Sequence, residues 1–289
     1  LVACHRSAWV ALAVVWPAVP CAALGVTQPA GPIAVAERLI LINATGIMLV
    51  VVLPVIVLTL AFAWRYRASN TTAVYRPDWD HSGQVELVVW AIPAMVVLLL
   101  SGVGWIGSHQ LDPARRLESS VAPLRIEVAS LDWKWLFIYP DQGIASVNEL
   151  TIPAGTPIEF TLTSATVMNA FFIPQLGSQI YTMPHMADRL NLLADRAGDY
   201  VGFSAHFSGS GFADMRFAVH AVPAAAFPAW VRSVHAAGAP LDTPAYAALA
   251  RPGTAPAATY GSVDPDLFGR IVGQTAPAAA MPQDVTNVR

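Results

Sequence analysis

Two strongly apolar stretches, each able to form one long helix, hold no charged side chain. One is residues 39–64, from Leu39 to Trp64, and the other is residues 87–107, from Leu87 to Gly107. As helices rising 1.5 Å per residue, both are long enough to cross a hydrocarbon core of roughly 30 Å. Each contains a proline, Pro54 or Pro93, which a membrane helix tolerates when neighbours satisfy the freed carbonyl. Trp64, Tyr66 and Trp79 supply aromatic residues near the interface. Residues 65–86 between the spans hold Arg65, Arg67 and Arg76, so the positive-inside rule places this loop in the cytoplasm and both chain ends outside. The pair is predicted to form a helical hairpin.

From Leu124 the period changes to two. Leu124, Ile126 and Val128 alternate with Arg125, Glu127 and Ala129, and Ile158, Phe160 and Leu162 alternate with Glu159, Thr161 and Thr163. Phe217 and Val219 repeat the pattern between Arg216 and Ala218. Half-buried strands broken by Pro-Ala-Gly-Thr at 153–156 and Ser-Gly-Ser-Gly at 208–211 predict an antiparallel sandwich or barrel over residues 111–223. Beyond Pro223 the composition turns to Ala and Pro. Helices are expected over Ala224–Ala236 and Leu241–Ala250, with a short third starting in Val263–Phe268, so residues 224–272 form a helical extension. Residues 273–289 are poor in large apolar side chains and are expected to be a disordered tail.

Ahead of the hairpin, residues 1–21 have the layout of a secretory leader: His5 and Arg6, the apolar run Ala8–Val19, then Pro20 and Cys21. An uncleaved third apolar anchor is the other reading. Residues 22–38 would then be an N-terminal outer segment.

The chain of 289 residues is 55% hydrophobic and 12% charged, which fits a mixed membrane and water-exposed architecture. A net charge of -3 and the lack of a basic stripe argue against nucleic acid as a partner. The only cysteines are Cys4 and Cys21, so a thiolate metal site or disulfide cannot form in the sequence that follows. There is no internal repeat, no phosphate loop and no serine or cysteine nucleophile with a base partner. Met183, His185 and Met186 offer soft donors for copper(I), although a solvated loop histidine is the simpler reading of His185. His81, His109, His220 and His235 show no spacing that suggests a site.

The segment Tyr200–Met215 reads Y-V-G-F-S-A-H-F-S-G-S-G-F-A-D-M. It resembles the Y-x-G-x-C-x-E-x-C-G-x-x-H-x-x-M segment of subunit II of the haem–copper terminal oxidases, which wraps the dinuclear copper centre CuA. The bridging cysteines fall on Ser204 and Ser208, the glutamate on His206, the histidine on Phe212 and the methionine on Met215. The upstream ligand segment is matched by Val167–Pro174, with Asn169 at the histidine position. A serine hydroxyl is a hard, weak donor, and a thioether alone does not hold copper. The loss of five of six ligand types marks the quinol-oxidase branch, the cytochrome bo3-type ubiquinol oxidases, rather than a CuA cytochrome c oxidase.

Phe62–Asn70 and Val85–Pro93 resemble the same branch, and Asp132–Tyr139 resembles the Q-W-x-W-x-x-x-Y segment of the family as a whole. The resemblance implies a cupredoxin-like domain without CuA and a lipid on Cys21. It also implies a carboxylate, Glu86, near the mouth of a proton path (the K-channel) that subunit I completes. Trp133 and Trp135 are expected to be structural aromatics, since electron delivery through Trp133 has no copper to feed. The C-terminal extension is a quinol-branch feature. Haems and CuB would lie in subunit I, with ubiquinol as substrate of the complex and small subunits III and IV as further partners. No cytochrome c is expected to bind, and the domain would lie on the periplasmic side of the bacterial inner membrane. A free-standing, membrane-anchored copper-handling cupredoxin is the alternative.

Overall fold

The computed structural model describes residues 25–74 and 77–273. The expected leader, the lipid site Cys21, the loop residue Arg76 and the tail beyond Gly273 lie outside these residues.

Two long helices open the structure, α1 (Pro32–Arg65) and α2 (Gly83–Gln110). Pro32 suits the first turn of α1, where a missing N–H costs nothing. Both helices are longer than the apolar runs predict. Residues 32–38, expected as part of an outer segment, form the first two turns of α1 because they dock on the domain that follows. Ile33 and Ala34 are buried, and the Glu37 carboxylate accepts hydrogen bonds from Ser178 N (2.8 Å) and Ser178 Oγ (3.1 Å). The helices meet where Gly107 admits Ile40; a β-carbon at Gly107 would lie 2.8 Å from Ile40 Cδ1. Otherwise the apolar spans present exposed surface to their surroundings, as membrane helices do.

Residues 124–222 form two packed sheets. The strands in chain order are β1 (Leu124–Leu131), β2 (Lys134–Tyr139), β3 (Ile144–Val147), β4 (Glu149–Pro153), β5 (Pro157–Ser164), β6 (Asn169–Ile173), β7 (Gly177–Thr182), β8 (Asp188–Leu193), β9 (Gly198–Ser204) and β10 (Arg216–Val222). The extension adds α3 (Phe227–Ala237), β11 (Ala239–Leu241), α4 (Thr243–Leu249), β12 (Ala258–Val263) and α5 (Leu267–Gly273). One sheet has the order β11-β12-β3-β2-β1-β5-β8 and the other β4-β10-β9-β6-β7. The sandwich is not purely antiparallel: β1 pairs with β5 and β10 with β4 in parallel. Each of these parallel partners is reached only after the chain has passed through other strands, a crossover that period-two patterning does not encode.

Between the sheets lies an aromatic core. Trp135 and Phe137 pack with Phe171 and Phe217, with ring centroids 5.1–6.4 Å apart. All six residues of β2 are buried, because its two faces serve two cores. Trp135, Phe137 and Tyr139 point between the sheets, whereas Leu136 and Ile138 join Ala129, Leu131, Ala145 and Val147 in a second cluster. Leu241, Tyr246, Leu267, Phe268 and Ile271 of the extension cover that second cluster. Burying each such side chain contributes roughly 1.5–3 kcal/mol.

The extension is thus not wholly helical. β12 pairs antiparallel with β3 and carries β11 beside it, lengthening the first sheet. Val263, expected at a helix start, ends β12, and the helix begins at Leu267. Asp242 caps α4 by accepting Ala245 N at 2.9 Å. Lys134 Nζ donates to Leu249 O (2.8 Å), at the end of α4, and to Arg251 O (2.7 Å) just beyond it, and Asn148 Nδ2 donates to Ala255 O (2.7 Å). Burial pushes the Lys134 ammonium below the usual lysine range, opposed by nearby Asp132.

Replacing Lys134 with Met keeps the stem but leaves two helix-end carbonyls without their charged donor. The expected loss is about 2 kcal/mol of stability. It should appear as an earlier urea midpoint for the detergent-purified chain and as faster amide exchange in residues 250–263, with exchange in β6 and β9 unchanged.

Candidate functional site

At one end of the sandwich, β6 begins at Asn169 and β9 finishes at Ser204, and the two strands pair antiparallel. Their ends bring two of the copper-frame positions into contact. The Ser204 hydroxyl lies 3.2 Å from Asn169 Oδ1 and 3.2 Å from His206 O, the two acceptors open to its single proton. The Asn169 amide nitrogen donates to Val167 O at 3.2 Å. Asn169 and Ser204 are almost wholly buried, and so is Met215, whose carbonyl accepts Ser204 N at 3.1 Å.

The other three positions point elsewhere. The His206 ring stands edge-on to Tyr181 of β7, with centroids 5.9 Å apart. Phe212 packs edge-on against Phe207, which is 71% exposed, so a phenyl pair occupies the face expected for a ligand. Ser208 Oγ is buried without a hydrogen-bond partner. Residues 205–215 keep the compact path of a binding loop through a short 3-10 turn, Phe212–Asp214, in which Asp214 N donates to Gly211 O at 3.2 Å.

Trp133 sets the shape of this loop. It takes a left-handed backbone conformation, φ 65°, between β1 and β2, which turns its ring away from the core. The ring lies against Gly209 and Gly211, and a β-carbon at Gly211 would sit 2.3 Å from its Cγ and Cδ2. Close approach therefore requires glycine there. Trp133 packs within its own domain, against the loop, and Trp135 lies wholly in the aromatic core.

The donors gathered here are a hydroxyl, a carboxamide, backbone carbonyls and one thioether, and no cysteine occurs anywhere after Cys21. Such a set is neutral and mostly hard. It does not fit a copper pair bridged by thiolates. The Met183, His185 and Met186 segment forms a turn after β7, with His185 (φ 62°) and Met186 exposed, an open arrangement rather than an enclosed soft-donor site. Among the described residues, no three His, Cys, Asp or Glu side chains converge on a point where a metal ion could sit.

Glu86 stands in the first turn of α2, where free N–H groups favour a carboxylate. Its Oε1 is 2.8 Å from His81 Nδ1, and both side chains are more than half exposed. Sequence spacing did not single out His81, because the contact depends on how the extended chain at Ser82 enters α2. His220 was missed likewise: its Nδ1 is 2.6 Å from Asp199 Oδ1 and its Nε2 is 3.6 Å from Glu149 Oε1. The partners sit on β9 and β4, either side of β10, so only strand register brings them to the histidine.

Comparison with known proteins agrees with this architecture. Residues 142–222 match the family described as cytochrome c oxidase subunit II, periplasmic domain, and residues 235–276 match the COX aromatic rich motif. The chain is 51% identical to cytochrome bo(3) ubiquinol oxidase subunit 2 of Pseudomonas aeruginosa, over 85% of its own length and 74% of that protein's. It is 47% identical to ubiquinol oxidase subunit 2 of Acetobacter aceti, over 87% of its own length and 82% of that protein's. Among solved structures, the periplasmic domain of subunit II of a Bradyrhizobium japonicum cytochrome oxidase is 27% identical over 39% of this chain and 93% of its own, with a TM-score of 0.37. With two apolar helices, a cupredoxin-like sandwich and an aromatic-rich extension, this chain belongs to the ubiquinol oxidase subunit 2 family of the haem–copper oxidases.

Proposed function

We propose that this chain serves as the non-redox second subunit of a proton-translocating ubiquinol oxidase in the bacterial inner membrane. The complex would oxidise ubiquinol and reduce oxygen to water. The observation that carries the reading is the Ser204–Asn169 contact: two positions that would ligate copper are instead joined by their own hydrogen bond inside a retained loop. Haems and CuB would belong to subunit I, with subunits III and IV as further neighbours and no docking of cytochrome c. The sandwich would cap the periplasmic face of subunit I, helped by a lipid on Cys21.

Glu86 would serve as a proton inlet. The arginine-bearing loop beside it supports a cytoplasmic position, and a carboxylate at a membrane boundary can collect protons from bulk water. His81 Nδ1 lies 2.8 Å from the Glu86 carboxylate, which holds the side chain at the loop end of α2.

Purifying the complex through a tag placed after Arg289 tests the central reading. Haem-bearing partners should copurify, with ubiquinol turnover and no turnover of reduced cytochrome c; a colourless chain recovered alone from well-expressing membranes would refute it. Glu86→Ala should slow ubiquinol turnover by up to about a hundredfold, the lower end for losing one positioned proton-transfer group. Haem content should not change, and wild-type turnover in this variant would remove the inlet assignment. Ser204→Ala with Ser208→Ala should lower stability by about 1–2 kcal/mol through the lost buried hydrogen bond. Ubiquinol oxidation should stay near wild type, and a large loss of it would mean that the loop takes part in turnover.

A further inference from the structure

The outer end of α1 borders a cleft of about 680 Å³. One wall is the segment Thr27–Ala30 with Val35 and Arg38 of α1, and the other is Gln175 with residues 196–200. Two guanidinium groups line it. Arg38 is exposed and makes no hydrogen bond or ion pair with other described residues. Arg196 gives one N–H, from Nη2, to Pro29 O at 2.9 Å, which leaves most of its five donors open. The one carboxylate in the lining, Asp199, is engaged with His220 at 2.6 Å. The cleft is therefore a net cationic pocket whose donors suit a phosphate.

Its position adds a second requirement. Arg38 is the last charged residue before the uncharged run that starts at Leu39, so it stands at headgroup depth. Val35, Arg38, Leu39 and Ile42 follow i, i+3, i+4, i+7 spacing and share one helix face. Leu39 is 59% and Ile42 53% exposed, so an apolar track leads from the cleft toward the membrane interior. Ile40, which meets Gly107 of α2, points to the other side of α1, so α2 leaves this track uncovered. A free phosphate would use the arginines and ignore the track, whereas a two-part amphiphile would use both.

We propose that this cleft binds the headgroup of an anionic phospholipid, with its phosphate between Arg38 and Arg196 and an acyl chain along Leu39 and Ile42. The inference requires α1 to cross the membrane and does not depend on which electron donor the complex uses. Arg38 would supply charge to the lipid alone, and Arg196 would also tie the cleft wall to Pro29.

The test uses the assembled complex in mild detergent, with haem content as the assembly control. Dioleoylphosphatidylglycerol is titrated in and the bound lipid counted by native mass spectrometry. Arg38→Gln with Arg196→Gln should weaken retention of the tightest lipid by roughly thirtyfold, the order for two interfacial cations. Arg38→Lys should retain it, and inorganic phosphate at equal concentration should not displace it. Unchanged retention in the double variant would overturn the proposal. Displacement by phosphate together with indifference to Leu39→Asn would overturn the lipid in favour of a simple anion site. Should the double variant assemble poorly, Arg38→Gln alone decides, since the Arg38 side chain makes no hydrogen bond or ion pair with other described residues; wild-type retention in it would count against the site.

Discussion

The burial of β2 on both faces is the constraint on which most of the water-exposed part depends. A strand in a two-sheet sandwich ordinarily shows one face to the core and one to water. Here Leu136 and Ile138 occupy the outer face, and leaving them wet would forfeit several kcal/mol. The C-terminal extension resolves this as a third layer over the sheet, held by apolar contacts and by Lys134, Asn148 and the β3–β12 ladder. The turn that carries Trp133 is fixed from the same side, because Gly253 N donates to Asp132 O within it, at 3.4 Å. The shape of the copper-frame loop thus rests indirectly, through the turn at Trp133, on a residue of the C-terminal extension.

That loop keeps a compact path with neutral contents. In a thiolate site the charge on sulfur is balanced by the metal, and removing the metal leaves anions to be neutralised. Serine at 204 and asparagine at 169 satisfy one another while uncharged, so the retained frame stays folded on ordinary hydrogen bonds. The packing of Trp133 on Gly209 and Gly211 is independent of any ligand. These features fit the non-redox role proposed for the chain.

The hairpin and the sandwich are joined by more than a linker. α1 runs on past the apolar stretch into the domain, where Gly31 and Gly177 let backbones approach and Glu37 clasps Ser178. A β-carbon on Gly31 would fall 2.1 Å from Leu193 O. The clasp fixes where the membrane surface lies relative to the sheets. It also leaves the cationic cleft open at that level.

The sequence by itself determined the two spans, the change to period two at Leu124, the helices of the extension within a few residues, and the chemistry missing from the copper frame. Each is a local property: a run of uncharged residues, an alternation, or a side-chain type at a fixed spacing. The tertiary structure alone decided that β1 and β5 run parallel, that 258–263 is a strand of the main sheet, and that α1 begins at Pro32. Only there do Asn169 and Ser204 bond while His206 and Phe212 turn away, and only there do Glu86 with His81 and His220 with Asp199 come together. The reason is physical: pairing partners and buried faces depend on which distant segment lies alongside, and Lys134 reads as an exposed cation until the helix end that it caps is in place.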